Sequence, residues 1–470
     1  MTNPQYRDIT EEQRSTNSYA RLVPGQTIIE IPSYELECGE TLKNFPVAYK
    51  TWGRLNEDRD NVLLICHALT GSADVQDWWG PLLGTGKTFD PSRFFIICIN
   101  FLGSPYGSCS PVSIDKSTGK PYGPTFPLVT VKDDIAIHRL VLDSLGVKSI
   151  ACVIGGSMGG MATMEYSATY NDSPYVKSII ALATSARASA WCISWNETQR
   201  QCIFSDPYYD DGYYYENGIK PDSGLGAARM AALLTYRSRN SFEERFGRKL
   251  PLNKPSKESP QEALKKQDAV GIIYPTTEDE EKWLIHNEGS RSSISRSSNS
   301  SAKPKPQTYF TAQSYLRYQG NKFINRFDAN SYISITRKLD THDITRGRID
   351  MDTVTEDPLP GFLKTLKKPH LVIGIQSDGL FTYGEQQLMG DNIPDVVLKK
   401  LDSHEGHDAF LLEFEIIDKY SKTYLQEKLV EFYDDSGKVV PFDDWASYVV
   451  DEDNGGNSVF GEAEQNITNW

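Results

Sequence analysis

The sequence predicts an α/β fold in which a doubly wound, mostly parallel sheet carries an inserted helical lid. Short apolar runs recur at residues 62–69, 94–100, 149–155, 176–184 and 370–376. These runs are apolar on both faces, as expected for parallel strands covered by helices. A helical pattern at 131–147 lies between two of the runs, and a long helix-rich block precedes the last one. Strand, helix and strand in that order indicate a doubly wound sheet.

The predicted division of the chain is an N-terminal segment at 1–40, a core at 41–190 and 365–434, a lid at 191–364 and an acidic tail at 435–470. The N-terminal segment holds a candidate strand at 26–32. In the core, Gly146 stands where the helix at 131–147 should be capped. In the lid, 227–239 and 314–327 have the best helical patterns.

The lid itself contains a low-complexity insertion at 248–306. It is rich in Ser, Lys, Glu and Pro and ends in GSRSSISRSSNSSAKPKP. Such a composition buries too little apolar surface to offset the entropy lost on ordering, so we expect much of it to be disordered.

Composition excludes several classes of function. The net charge of −14 disfavours DNA or RNA as a partner, because phosphate binding depends on clustered Lys and Arg. The seven cysteines lack C-x-x-C spacing, which argues against a disulfide framework and a zinc site. Cys66, Cys98 and Cys152 lie in apolar runs and are predicted to be buried. With no secretory signal and no membrane span apparent, we expect a cytoplasmic protein.

The strongest local signal is Gly155-Gly156-Ser157-Met158-Gly159, a G-x-S-x-G sequence between an apolar strand and a helix. This is the setting of a nucleophile elbow, in which a tight turn lifts the serine hydroxyl clear of the sheet. Small residues are needed there because a Cβ would collide with the neighbouring strand or helix. The motif therefore predicts Ser157 as a nucleophile.

A serine nucleophile needs a base, and the base needs an acid to orient it. In α/β-hydrolases the order along the chain is Ser, Asp or Glu, then His. Of the seven histidines, five are unsuited by position: His67, His138, His286, His342 and His370. His407 is favoured over His404 because it stands directly before the apolar run AFLLEFEII.

The acid should follow a late strand upstream of the histidine. Asp378 comes directly after the run at 370–376, whereas its competitors Asp340 and Asp343 lie in the lid with no preceding strand. Acyl transfer also needs an oxyanion hole. Its donors should be the backbone N–H of Met158 and one from the loop after an early strand, for which Leu69 is the natural choice. We interpret His67 as a residue that shapes this loop.

Six stretches carry a resemblance to a known family: HALTGSADVQDWWGPLLG, FFIICINFLGSPYGS, GGSMGGM, LTYRSRNSFEERF, YLRYQGNKFINRFDANSYI and EGHDAF. Together they resemble the homoserine O-acetyltransferases of the methionine pathway, the fungal form in particular. The likeness extends from about residue 22 to 425 and includes the terminal FGEAE…NW.

The resemblance implies a ping-pong reaction in which acetyl-CoA acetylates Ser157 and L-homoserine then takes the acetyl group. It implies Ser157, Asp378 and His407 as the triad, and Leu69 and Met158 as oxyanion donors. It also implies substrate-binding residues: Arg229 for the carboxylate, Tyr236 close by, Asp408 for the ammonium, and Thr70. Arg229 and Tyr236 lie about two helical turns apart, so they share a face.

The resemblance further implies a homodimer through lid helices, no permanently bound cofactor and no metal; acetyl-CoA enters as co-substrate. Nucleic acids and membranes are not expected as partners. Three alternatives stay open. A transferase for serine or another acyl group differs by little, since one methylene is worth only about 1–3 kcal/mol. A plain serine esterase would use the same triad, and a binding protein without activity would need none.

Overall fold

The computed structural model of the chain describes residues 4–249, 277–287, 310–350, 352 and 355–434. Most of the predicted insertion at 248–306 and the whole predicted tail at 435–470 lie outside the described residues. Within the described stretches, no helix combines the length and the apolar character needed to cross a lipid bilayer.

A nine-stranded sheet forms the centre of the fold. The strands are β1 (Arg7–Asp8), β2 (Thr27–Glu35), β3 (Thr41–Trp52), β4 (Val62–Cys66), β5 (Phe95–Ile99), β8 (Ile150–Gly156), β9 (Val176–Leu182), β10 (His370–Ile375) and β11 (Val396–Leu401), with β6 (Ile114–Asp115) and β7 (Lys120–Pro121) in a separate ribbon. Their spatial order is β1-β2-β3-β5-β4-β8-β9-β10-β11. From β5 to β11 neighbouring strands are parallel, whereas β1, β2 and β3 pair antiparallel. The predicted mostly parallel sheet is confirmed.

Helices cover the sheet and fill the long segment between β9 and β10. They are α1 (Thr10–Thr16), α2 (Val75–Trp79), α3 (Val131–Ser144), α4 (Met158–Thr169), α5 (Ala190–Phe204), α6 (Asp222–Tyr236), α7 (Arg239–Arg245), α8 (Glu278–His286), α9 (Thr311–Ile324), α10 (Ala329–Asp340), α11 (Leu359–Leu363), α12 (Tyr383–Asn392), α13 (Ala409–Leu412) and α14 (Phe414–Lys428). We call the part from α5 to α10 the lid. Its described residues contain helices and no strand of the main sheet.

Strand β4 shows why the central strands read as continuous apolar runs. Val62 and Leu64 pack into the cluster that includes α3 and α4, while Leu63 and Ile65 pack into the cluster on the other face, which includes α14. All residues of β4 are buried, because helices cover both faces. The cysteines of β4, β5 and β8 are buried, as the sequence predicts.

The lid is fixed both within itself and to the core. Helices α6 and α9 approach closely where Gly226 and Gly320 face each other, since a Cβ on Gly320 would lie 3.1 Å from the Gly226 carbonyl oxygen. Lys338 of α10 donates to the carboxylate of Asp134 in α3 and to the carbonyl oxygen of Leu102, 2.7 Å away. These buried contacts hold the lid over the carboxyl ends of the parallel strands.

Candidate active site

Ser157 occupies a strained turn between β8 and α4. Its backbone has φ 58° and ψ −126°, a conformation that costs energy for a residue with a Cβ. The crowding explains the glycines, because a Cβ on Gly159 would lie 2.0 Å from the Cys66 carbonyl oxygen. The turn is held by the Ser157 N–H, which donates to Leu182 O at 3.0 Å, and by Thr184 Oγ1, which donates to Ser157 O at 2.7 Å. Hydrogen bonds at both the N–H and the C=O of Ser157 thus hold the strained conformation.

The structure brings together the three residues predicted as the triad. His407 Nε2 lies 2.9 Å from Ser157 Oγ, and His407 Nδ1 lies 2.7 Å from Asp378 Oδ2. Asp378 Oδ1 accepts backbone N–H groups of Leu380 at 2.8 Å and Phe381 at 3.0 Å. A carboxylate beside Nδ1 assigns the proton to that nitrogen and leaves Nε2 to accept the serine proton. The geometry therefore suits base-assisted attack by serine.

The competing residues lie elsewhere. His404 is exposed, and its Nε2 lies 2.8 Å from the Glu244 carboxylate. Asp340 pairs with Arg200 at 2.7 Å, and Asp343 accepts the Thr345 N–H at 2.8 Å. None of these contacts involves Ser157.

Aromatic rings enclose the imidazole of His407. The ring centroids of Phe410, Phe381 and Tyr236 lie 5.2, 5.4 and 5.9 Å from it. His407 is only 2% exposed. The Ser157–His407 contact therefore lies in a largely apolar surrounding, where hydrogen bonds to charged groups are stronger than in water.

The two predicted oxyanion donors lie on different elements of the structure. Met158 begins α4, and Leu69 lies in a turn after β4, residues 68–71, closed by a hydrogen bond of 3.0 Å from Gly71 N–H to Ala68 O. His67 holds this turn, since its Nδ1 lies 2.8 Å from Ala68 O and its Nε2 accepts the Phe101 N–H at 3.2 Å. Burial lowers the pKa of His67 to about 4, so the ring is neutral at pH 7.

The residues predicted to bind substrate are buried. Arg229 is 1% exposed on α6, and its guanidinium lies 5.0 Å from the Phe323 ring and 5.5 Å from the Tyr236 ring. Tyr236 in turn contacts the His407 ring. Thr70 is buried, and its hydroxyl has no hydrogen-bond partner within the described residues. The inner face of α6 thus joins Arg229 to the triad.

Asp408 has a neighbour that sequence reasoning missed. Its carboxylate lies 2.9 Å from Nε of Arg237, just after the end of α6, and both side chains are buried. An ammonium bound at Asp408 would share the carboxylate with this guanidinium. The carboxylate has two oxygens, so the sharing is chemically feasible.

Glu405 ties the loop of His407 to the lid. It accepts hydrogen bonds from Arg237 at 2.6 Å, Ser241 at 2.7 Å and Arg245 at 2.7 Å. Burial opposes ionisation, but the hydrogen bonds from Ser241 and Arg245 and the charge of Arg237 lower the pKa of Glu405 to about 2. The three donors recur every four residues, a spacing that could have indicated one helix-sided cluster.

Gly406 lets this loop approach the lid. Its φ is +77°, and a Cβ there would lie 2.4 Å from the Ser238 nitrogen, so any other residue would be strained and would clash. His407 is therefore positioned by contacts to the end of α6 as well as by Asp378.

The chain is similar in sequence to known α/β-hydrolases and acetyltransferases. A profile of the family described as alpha/beta hydrolase fold matches residues 61–414. Homoserine O-acetyltransferase of Saccharomyces cerevisiae is 53% identical over 98% of this chain and 97% of the relative. The enzyme of that name from Emericella nidulans is 49% identical over 98% and 97%.

Solved structures share the fold. Homoserine O-acetyltransferase from Bacillus anthracis has a TM-score of 0.65 and 21% identity and covers 89% of this chain and 99% of its own. Esterase E22 has a TM-score of 0.65 and 23% identity, with coverage of 85% and 99%. In the described part of this chain, no three His, Cys, Asp or Glu side chains gather as a metal-ligand set. The close relatives cover nearly the whole sequence, and the chain belongs to the homoserine O-acetyltransferase family of the α/β-hydrolase fold.

Proposed function

We propose that this chain transfers the acetyl group of acetyl-CoA to the hydroxyl of L-homoserine, through an acetyl group on Ser157. The observation that carries the proposal is the Ser157–His407–Asp378 hydrogen-bonded array, with a buried arginine and a buried aspartate beside it. The relatives' name supplies the reaction, and this arrangement supplies residues able to perform it.

In the first half-reaction Ser157 Oγ attacks the thioester carbonyl carbon while its proton moves to His407 Nε2. Negative charge then develops on the carbonyl oxygen, where the N–H groups of Leu69 and Met158 are the proposed donors and the N-terminus of α4 adds a favourable dipole. The C–S bond breaks, and His407 returns the proton to the departing CoA thiolate. Asp378 keeps the imidazole oriented and stabilises its positive charge.

In the second half-reaction the homoserine hydroxyl gives its proton to His407 Nε2, and its oxygen attacks the acetyl carbon. The bond to Ser157 Oγ breaks, and the serine takes the proton back. The products are O-acetyl-L-homoserine and free enzyme. Such a product is the activated form of an amino-acid hydroxyl, which fits a biosynthetic role in methionine formation.

Recognition of the acceptor needs one fixed cation and one fixed anion. We assign the carboxylate of homoserine to Arg229 and its ammonium to Asp408, with Tyr236 and Thr70 lining the space between. A simple esterase has no need of two such buried charges beside its triad, so this pair favours transfer to a zwitterion over hydrolysis.

We also propose a cytoplasmic homodimer that associates through the lid. Leu234 of α6 and Tyr318 of α9 are 51% and 41% exposed on neighbouring lid helices, and exposed large apolar side chains are found at interaction surfaces. A molecular mass equal to that of one chain, measured by sedimentation equilibrium, would contradict the dimer.

The direct test is CoA release from acetyl-CoA with L-homoserine, L-serine or no acceptor, measured with a thiol reagent. We expect release that depends on homoserine and disappears in Ser157→Ala. Ser194→Ala, on the exposed side of α5, is the matched control and should keep full activity. Release with serine alone would move the acceptor assignment to serine, and equal release without acceptor would mean hydrolysis.

A further inference from the structure

Arg326 reaches from the lid to the turn that carries Leu69. It lies between α9 and α10 and is only 6% exposed. Its Nη1 donates to the carbonyl oxygen of Thr70 at 3.2 Å and to the hydroxyl of Tyr106 at 2.9 Å. A guanidinium is a planar fork of donors that fixes the direction of the groups it binds. The contact therefore constrains the backbone next to a proposed oxyanion donor.

The turn at 68–71 is held from two sides. From the core, Ala68 O lies 2.8 Å from His67 Nδ1 and accepts the Gly71 N–H at 3.0 Å. In a trans peptide the C=O and the N–H point in opposite directions, so fixing Ala68 O also fixes the direction of the Leu69 N–H. From the lid, Arg326 fixes the carbonyl of Thr70, the residue after Leu69. The turn depends on both anchors for a single orientation.

The residue that supplies the lid anchor is itself well supported. Asp328, two residues later, accepts hydrogen bonds from the hydroxyls of Tyr214 at 2.6 Å and Tyr215 at 2.8 Å and caps α10 through Ser331 N at 2.8 Å. These contacts fix the short connection in which Arg326 lies.

Arg326 lies close to Arg229, the residue assigned to the acceptor. The guanidinium groups of Arg326 and Arg229 each lie 5.0 Å from the ring of Phe323. One aromatic side chain of α9 thus contacts both the arginine that binds the oxyanion turn and the arginine assigned to the homoserine carboxylate.

We propose that Arg326 is a positioning residue for the oxyanion turn, so that correct seating of the lid is required for both half-reactions. This inference rests on the proposed function and on Leu69 as an oxyanion donor. Both half-reactions pass through an oxyanion, whereas only the second uses the acceptor. Loss of Arg326 should therefore slow acetylation by acetyl-CoA and transfer to homoserine by similar factors and leave the KM for homoserine unchanged.

The test separates the half-reactions in Arg326→Met and Arg326→Lys. Acetylation is followed by CoA release without acceptor in a stopped-flow instrument, and transfer by the decay of acetyl-enzyme in a mass spectrometer after homoserine is added. Removing an oxyanion donor costs about 10²–10³-fold, so we expect about tenfold or more in both steps for Arg326→Met. Arg326→Lys, which keeps one donor, should lose less. Arg337→Met, an exposed arginine of α10, is the control and should lose nothing.

A second readout distinguishes an oxyanion effect from general damage. Acetylation by p-nitrophenyl acetate is compared with acetylation by its thiono analogue, in which sulfur replaces the carbonyl oxygen and accepts hydrogen bonds weakly. We take the ratio of the acetylation rate with p-nitrophenyl acetate to the rate with its thiono analogue. This ratio should fall in Arg326→Met and stay at the wild-type value in Arg337→Met.

Each remaining outcome decides against the inference or against the function. A loss confined to the transfer step would make Arg326 an acceptor-binding residue and overturn the inference, as would unchanged rates in both steps. An equal fall for both esters would mean general damage and would also overturn it. If wild type shows no homoserine-dependent CoA release, the proposed function fails, whatever the variants do.

Discussion

At the scale of single residues, the site separates chemistry from recognition. Ser157, His407 and Asp378 form one hydrogen-bonded chain, while the guanidinium of Arg229 lies over the ring of Tyr236, which packs against His407. Asp378 uses one oxygen for His407 and the other for two backbone N–H groups. Groups of the protein itself therefore orient Asp378, and we expect a change at Arg229 to leave the acetylation step intact.

Arg229→Met tests that separation. A hydrogen bond to a charged group is worth about 1.5–3 kcal/mol, so losing the carboxylate contact should raise the KM for homoserine about 10- to 100-fold. Release of CoA in the absence of acceptor should stay at the wild-type rate, because that step does not involve homoserine. Steady-state kinetics with homoserine and a stopped-flow measurement without it provide both numbers.

Arg239→Met, an exposed arginine at the start of α7, is the control and should change neither quantity. Slower acetylation in Arg229→Met would contradict the separation and would place Arg229 in the machinery common to both steps.

Sequence alone reached the residues whose position follows from local motif and chain order. Ser157 has its elbow, Asp378 follows a strand, and His407 precedes an apolar run. Arg237 and Arg326 could not be found this way. Their partners lie 168 and 256 residues away in the chain, and only the folded lid brings them together.

At the scale of elements, the important junction is between the α6–α7 segment and the loop before α13. Glu405 accepts hydrogen bonds from Arg237, Ser241 and Arg245, while Gly406 allows close approach. Arg237 follows the end of α6, and Ser241 and Arg245 belong to α7, so the consecutive helices α6 and α7 hold the loop of His407. Helix α6 also carries Arg229, the residue proposed to bind the acceptor.

Glu405→Gln tests whether the negative charge of Glu405 stabilises this junction, through the pH dependence of the stability of the fold. The pKa of Glu405 is lowered to about 2 in the folded chain, from about 4.3 when unfolded. The ionised form therefore stabilises the fold above about pH 4.3, and this contribution is lost as the pH falls toward 2. The difference in Tm between wild type and Glu405→Gln should be largest near pH 6–7 and should shrink below about pH 4.5.

Thermal unfolding followed by circular dichroism at several pH values measures this difference. Glu427→Gln, on an exposed part of α14, serves as the matched control and should give a Tm close to wild type throughout. A Glu405→Gln effect of constant size from pH 7 to pH 3 would show that packing, and not charge, stabilises the junction.

The strands that the sequence did not predict were missed for the same physical reason. β11 has intermediate or exposed residues along most of its length, and β3 is exposed over part of its first half. A strand at the edge of a sheet, or in its antiparallel part, has one face open to water and does not form a continuous apolar run. The five buried parallel strands do form such runs, and each was predicted within a few residues of its observed bounds.

At the scale of the whole molecule, the described residues on either side of 250–309 meet, and this range includes most of the predicted insertion at 248–306. Thr311 N–H donates to Lys249 O at 2.9 Å, and Thr311 Oγ1 donates to the same oxygen at 3.1 Å. The flanking residues Lys249 and Thr311 are thus hydrogen-bonded to each other. We therefore expect that the connection between them can be shortened without moving α7 or α9.

Replacing 250–309 by a short Gly-Ser linker should therefore leave the enzyme intact. The replacement removes α8 (Glu278–His286), whose described side chains are exposed. A tenfold change in the length of a connection changes the entropic cost of closing it by only about 2 kcal/mol. We expect a Tm equal to or slightly above that of wild type, and homoserine-dependent CoA release within about twofold of the wild-type rate.

A second variant with residues 288–309 in scrambled order keeps the length and should behave like wild type. If the linker variant keeps its Tm but loses transfer, the segment contributes to the site directly; if only the scrambled variant loses transfer, its sequence interferes with the lid. The Thr311–Lys249 hydrogen bonds favour neither outcome, because they join the flanking residues directly.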